Sequence, residues 1–202
     1  MKLYLAPGAC SLSPHIALEE AGLSYETEAV NLKTKETATG LDYRTINPKG
    51  SVPALKLDDG QVLTEGPAIV QYIADRKPEA KLAPAAGSME RYRLQEWLNF
   101  ISTELHKNFS PLFNPKAGDD WKQAARDLLT AKFTYVAGQL KDKSYLMGEG
   151  FSIADGYLFT ILRWAVAMKF DLNQWPVLPA YMERVKARPH VQAVLKAEGL
   201  AV

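Results

Sequence analysis

The chain opens with "MKLYLAPGACSLSPHIALEEAG", residues 1–22, and this stretch decides the fold. "KLYLA" is a short apolar run of strand type, and "SPHIALEEAG" reads as a helix. Ser13 is placed to cap that helix, Pro14 suits its first turn and Gly22 marks its end. "SYETEAVNL" then alternates apolar and polar residues, as a half-buried strand does. Strand, helix and strand in that order predict a right-handed crossover between two parallel strands. The connection between the first strand and the helix holds Pro7, Gly8 and the chain's single cysteine, Cys10.

That position bears on chemistry. First-turn N–H groups have no partner within the helix, and the dipole adds partial positive charge there. Both effects favour a thiolate, so Cys10 is expected to have a depressed pKa, with Ser11 and Ser13 donating to its sulfur. The loop also follows the C-terminal end of a parallel strand, where α/β sheets hold their ligands. The competing reading is a free cysteine that acts as a small buried hydrophobe.

The pattern continues to about residue 80. Lys33 to Gly50 is polar and irregular, with room for a short helix. "VPALKLDDGQVLTE" contains two apolar runs around Asp59-Gly60, a hairpin signal. "GPAIVQYIADRKP" is a helix with Pro67 in its first turn and Pro78 beyond its end. The expected domain is β-α-β followed by β-β-α, over residues 1–80. Residues 81–88 read as a linker. Strand signals then vanish, and residues 89–202 are expected to form an all-helical domain. Its long helices are "SMERYRLQEWLNFISTELHKNF" and "DDWKQAARDLLTAKFTYVAGQLKDK". "FSIADGYLFTILRWAVAMKF" is apolar enough to be a central buried helix, entered through a Ser152–Asp155 capping box.

Composition narrows the function. Of 202 residues, 47% are hydrophobic and 23% charged, within the range of an ordinary globular chain. A formal net charge of +1 offers no basic surplus for nucleic acid or an anionic membrane. No apolar run is long enough to span a bilayer, and the N-terminus lacks the apolar core of a secretory signal. One cysteine suits a reducing cytoplasm. With three scattered histidines (His15, His106, His190), a metal centre is not expected.

Three further motifs are candidates for binding. In "GSVPAL", a cis bend at Val52-Pro53 would leave the Val52 N–H and C=O free to pair with an extended, peptide-like ligand; an ordinary strand entry is the plainer reading. At "TEGPAIV", Glu65 and Gly66 precede a helix, where free N–H groups suit a carboxylate and Glu65 suits an ammonium. On the long helix, Leu94, Leu98, Ile101 and Leu105 recur at core spacing. Asn99, Thr103 and His106 form a separate polar stripe next to Lys107, either solvated or facing a ligand.

Taken together, "PGACSLSPHIAL", "NPKGSVPAL", "LTEGPAIVQYIAD", "EWLNFISTELHK", "PLFNP" and "FSIADGYLF" resemble the bacterial beta-class glutathione transferases over essentially the whole chain. The resemblance implies a thioredoxin-like N-terminal domain, an all-α C-terminal domain and a homodimer. It implies a transferase that joins the glutathione thiolate to small electrophiles, with thiol–disulfide exchange or reductive dehalogenation through Cys10 as a second activity. Cys10 matches the cysteine that contacts the glutathione sulfur. Lys35 matches a lysine for the glycine carboxylate, Val52 the backbone that pairs with the cysteinyl unit, and Pro53 the cis-proline. Glu65 and Gly66 match the γ-glutamyl end, where many relatives carry serine at the second position. Asn99 and His106 match residues near the thiol, with Lys107 beside them. The stretch Thr103, Glu104, Leu105 and His106 matches one that touches glutathione, and Glu104 matches a residue that reaches a partner subunit. Phe109, Phe113 and Trp164 are expected at the electrophile pocket.

Cys10 is an awkward direct base for a thiol, because their unperturbed pKa values are similar; His106 and the helix-terminal N–H groups are better stabilisers of the bound thiolate. Two other classes compete: a Cys-His hydrolase built on Cys10 and His106, and a non-catalytic protein that holds glutathione or a hydrophobic ligand.

Overall fold

A computed structural model describes residues 1–201 of the chain. They form two compact units. One is Met1–Ala83 with Lys186–Val202, the other Pro84–Val185.

The first unit runs β1 (Lys2–Leu5), α1 (Leu12–Ala21), β2 (Glu26–Asn31), β3 (Glu36–Thr37), β4 (Ala54–Lys56), β5 (Val62–Thr64) and α2 (Gly66–Arg76). The strand order is β3-β2-β1-β4-β5. β1 pairs with β2 in parallel, and the other pairings are antiparallel. The expected β-α-β and β-β-α halves are both present. The polar stretch between them contributes the two-residue edge strand β3 and a short 3₁₀ turn at Tyr43–Thr45. Gly60 takes φ 88° in the β4–β5 turn, a left-handed conformation that glycine adopts without steric cost.

Helix α1 differs from an ordinary amphipathic helix. Leu12, Ser13, Pro14, His15, Ile16, Ala17, Leu18 and Ala21 are all buried. It packs against α2 on one side and against the C-terminal helix α8 (Pro189–Ala197) on another. Each of its large apolar side chains stabilises the unit by roughly 1.5–3 kcal/mol. The helix begins two residues earlier than expected. Ser11, not Ser13, occupies the cap position, and Pro14 lies in the first turn. The Ser11 hydroxyl accepts from the Ala6 N–H at 3.1 Å and donates to the Ala6 carbonyl at 3.2 Å, closing the loop on itself.

The expected boundary of the helical domain at the C-terminus is corrected by α8. Residues 186–201 belong with the α/β unit, because their polar groups are spent on it. Arg188 grips Glu20 with two hydrogen bonds, of 2.6 and 2.7 Å. Glu198 accepts from the Gly8 N–H at 2.8 Å and lies 2.7 Å from His15 Nδ1. Helical periodicity alone could not show which domain this helix would join.

The second unit consists of α3 (Met89–Phe100), α4 (Ser110–Phe113), α5 (Asp119–Leu140), α6 (Ile153–Ala167) and α7 (Val177–Lys186). The long helix expected over residues 88–109 is not uniform. After Phe100 it widens into a π-turn at Ile101–Leu105 and then tightens into a 3₁₀ turn at His106–Phe109. Helix α6 is the buried centre, as expected. Its Asp155 carboxylate is fully buried and accepts from the N–H groups of Ser152 and Leu146, the Ser152 hydroxyl and the Tyr181 hydroxyl. Four donors satisfy both oxygens of a charge that would otherwise be costly in the core.

Glu28 on β2 supplies a pH test of the first unit. Burial by itself would raise its carboxyl. Hydrogen bonds from Thr39 at 2.6 Å, from Thr37 and from Lys2 at 3.2 Å outweigh this and hold it at about 2. A carboxyl depressed in the folded state stabilises it above the unfolded pKa and loses that contribution as the pH falls through the folded pKa. The stability difference between wild type and Glu28→Gln should therefore shrink by up to about 3 kcal/mol between pH 4.5 and pH 2. Urea unfolding of both proteins across that range measures it.

Candidate functional site

In the first unit the loop before α1 and the loop before β4 meet at Cys10. Its thiol donates to the Val52 carbonyl at 3.2 Å. The Val52–Pro53 peptide bond is cis, as the resemblance implied. Among the described residues, no protein group accepts from the Val52 N–H. The Val52 loop is fixed from behind. The Tyr43 hydroxyl and the Asn47 amide both donate to the Ser51 carbonyl, at 3.0 and 2.7 Å. Tyr43 is fully buried against Tyr4, and Asn47 is buried as well. Sequence reading passed over both residues. The signal available was a tyrosine and an asparagine within an otherwise polar loop, which does not distinguish a brace from a solvated turn.

The electrostatics of Cys10 reverse the expectation of a low pKa. Burial pushes its thiol up to about 11, and the nearby Glu65 carboxylate adds to the rise. The backbone N–H groups of Cys10 and Ser11 act the other way but are outweighed. The expected serine donors are engaged elsewhere or silent. Ser11 is committed to Ala6, and the buried Ser13 hydroxyl makes no hydrogen bond. A helix N-terminus favours a thiolate only where loss of hydration costs less than the dipole returns.

Lys35 has φ 65°, and its ammonium donates to the Gly50 carbonyl at 2.8 Å. This holds the lysine over the loop that leads to Val52. Glu65, immediately before α2, has φ 72° and ψ 114°, which is strained for a residue with a side chain. Its carboxylate was expected to await an ammonium and already has one: Lys49, whose ammonium also donates to the Thr64 hydroxyl at 2.8 Å. Gly66 opens α2, and a Cβ added there would meet nothing within 4 Å. Pro67 follows and has no N–H to give.

In the second unit the expected polar stripe divides. Asn99 and Thr103 are exposed, and the Thr103 hydroxyl donates to the Asn99 carbonyl at 3.0 Å. Lys107 is exposed. Leu105 is fully buried, so its side chain belongs to the core with Leu94, Leu98 and Ile101. Glu104 pairs with Lys132 at 2.8 Å. The π-turn changes the angular step, so His106 leaves the stripe. It is half-buried, with Nδ1 2.6 Å from the Tyr157 hydroxyl and its ring edge-on to Trp164 at 4.9 Å between centroids. Tyr157 was not singled out from the sequence, since it lies within an apolar helix and looks like core. Phe113 is exposed and edge-on to Trp164 at 5.1 Å, whereas Phe109 is fully buried beneath them and cannot line a pocket. Among the described residues, no group of His, Cys, Asp and Glu could hold a metal ion.

Residues 8–76 match the family model of the glutathione S-transferase N-terminal domain, and residues 100–189 that of the glutathione S-transferase C-terminal domain. Glutathione S-transferase GstA of Escherichia coli O157:H7 is 50% identical over 99% of this chain and 100% of its own. Among solved structures, BphK, a bacterial GST in a ternary complex, is 58% identical with a TM-score of 0.98, over 99% of this chain and 100% of that one. A bacterial beta-class glutathione S-transferase of Sphingomonas chungbukensis is 49% identical, and a sphingomonad glutathione S-transferase complexed with glutathione is 47% identical. Their TM-scores are 0.97 and 0.96, and both comparisons cover 100% of each chain.

The Cys10 environment has a direct consequence in the absence of ligand. Alkylation of Cys10 by iodoacetamide should be slow at pH 7 and climb about tenfold per pH unit up to pH 9.5, following the thiolate fraction. A rate that levels off below pH 8 would restore the low-pKa thiol. Mass spectrometry of the single cysteine follows the reaction.

Proposed function

The chain belongs to the glutathione S-transferase family, in the beta class, and from that premise we propose how its residues serve the reaction. The enzyme binds glutathione as co-substrate and joins its thiolate to a small electrophilic compound. Catalysis of this kind consists of holding the sulfur in place and stabilising it as an anion. The observation that carries the reading is the Val52 loop. It presents an unused N–H beside a carbonyl, braced by Tyr43 and Asn47, and the cysteine thiol sits on that same carbonyl.

On this reading the Val52 backbone pairs with the cysteinyl unit of glutathione, with Pro53 fixing the bend. Lys35 takes the glycine carboxylate. Glu65, with Lys49 behind it, takes the γ-glutamyl ammonium, and the Gly66 N–H takes its carboxylate. The space around Gly66 would accommodate a side chain there. By the resemblance, Asn99, Thr103, Glu104, Leu105 through its backbone, His106 and Lys107 match residues that touch glutathione. His106 stabilises the thiolate as an N–H donor. Cys10 does not act as base, because burial keeps its thiol protonated at neutral pH, with no thiolate to accept a proton. Its place beside the bound sulfur suits it to thiol–disulfide exchange, or to taking over the sulfur in a reductive dehalogenation.

The same feature speaks against a Cys-His hydrolase, whose nucleophile must be a thiolate at neutral pH. A non-catalytic binding protein has no support from membership of a transferase family. We further infer a homodimer. Trp121, Leu128 and Tyr135 lie exposed at seven-residue intervals on α5, and Met89 and Tyr92 are exposed on α3. Apolar stripes of this kind are covered in most folded proteins. A cytoplasmic location suits a chain with a single cysteine, none of whose described helices is long and apolar enough to cross a membrane.

Retention on immobilised glutathione, followed by conjugation to an activated aryl halide, tests the activity. Binding without turnover across a panel of electrophiles would overturn it. His106→Ala should raise the pKa of bound glutathione by about one to two units, since a charge-assisted donor contributes roughly 1.5–3 kcal/mol. The pH–rate curve at saturating glutathione should move to higher pH by that amount. Light scattering should give about 45 kDa, twice the 22.4 kDa chain. A monomer at micromolar concentration would remove the shared-site role of Glu104.

A further inference from the structure

We infer that Tyr157 is a positioning residue that fixes which nitrogen of His106 carries the proton. The inference rests on the role proposed for His106 in holding the glutathione thiolate. A neutral imidazole has two tautomers, and only one presents N–H at Nε2. The protonation of the second nitrogen is set by the hydrogen bond made at the first. Here Nδ1 faces the Tyr157 hydroxyl at 2.6 Å.

The direction of that bond follows from its length and from acid strength. N–H donors to oxygen settle near 2.9–3.0 Å, whereas O–H donors come closer. A phenol is also a much stronger acid than a neutral imidazole N–H, and a neutral imidazole nitrogen is a good acceptor. Tyr157 therefore donates, and Nδ1 accepts. The neutral ring then carries its hydrogen on Nε2, the form that gives a hydrogen bond to an anionic sulfur. The other tautomer would present a lone pair to that sulfur and repel it.

The surroundings hold this arrangement. Tyr157 is buried on α6, the most buried helix of its unit, and its ring stands nearly perpendicular to the imidazole, at 87° and 5.9 Å between centroids. Trp164, two turns along the same helix, packs its ring against His106 at 78°. One rigid helix thus supplies both the wall that orients the imidazole and the hydroxyl that sets its protonation. The π-turn before His106 carries it to this helix and away from the exposed stripe of Asn99 and Thr103.

The test uses the full-length protein labelled with ¹⁵N-histidine. Only His15, His106 and His190 give signals, and His106→Ala identifies its set. Long-range ¹H–¹⁵N correlation spectra at pH 8 should show His106 in the Nε2–H form in wild type. Tyr157→Phe keeps the ring and removes the hydroxyl. It should give a mixture of the two tautomers, with conjugation at saturating glutathione about fivefold slower and KM for glutathione little changed. An Nδ1–H form in wild type, or an unaltered tautomer ratio in Tyr157→Phe, would overturn the inference, and the wild-type spectrum decides even if the variant folds poorly. Tautomers that shift as expected while both variants conjugate at the wild-type rate would support the assignment to Tyr157 and remove His106 from the reaction. The two failures are thereby told apart.

Discussion

The burial of helix α1 on nearly all of its circumference is the constraint on which the first unit depends. With α2 and α8 packed around it, the helix cannot slide or rotate without opening the core. The loop that leads into it inherits that rigidity. Ser11 ties the loop back to Ala6, and Glu198 ties Gly8 to the end of the chain. Cys10 is consequently held against the Val52 carbonyl by packing that lies mostly behind it.

The same packing decides the chemistry of the thiol. Packing around Cys10 costs its anion part of its hydration, and two backbone N–H groups do not make up the loss. The family's reaction needs a thiolate from glutathione, whereas burial favours the protonated form of the protein's own cysteine.

Local irregularity marks a candidate residue in each unit. Glu65 takes a strained left-handed φ before α2, and the chain widens to a π-turn before His106. Regular secondary structure would direct Glu65 and His106 elsewhere. Such departures persist only where surrounding packing over-determines them. Here the fully buried Ile69, Val70 and Ile73 anchor α2, and Leu94, Ile101 and Leu105 anchor the helix that carries His106.

Much of the protein was legible from residues alone. Periodicity of two and of 3.6 separated the α/β half from the helical half, and Pro and Gly placed the turns, because these signals are local. The motif residues Cys10, Val52, Pro53, Glu65 and His106 could be picked out for the same reason: each belongs to a short stretch with its own chemistry. Four things were decided only by tertiary structure. The pKa of Cys10 depends on how deeply its loop is buried, which no first-turn argument contains. The membership of α8 in the α/β unit depends on Arg188 and Glu198 finding Glu20, Gly8 and His15 far away in sequence. The bracing by Tyr43 and Asn47 depends on where the Ser51 carbonyl lands. The partnership of His106 with Tyr157, 51 residues apart, depends on a π-turn and on the packing of two helices. Local pattern determines which elements form, whereas burial and long-range hydrogen bonding determine what each functional group is able to do.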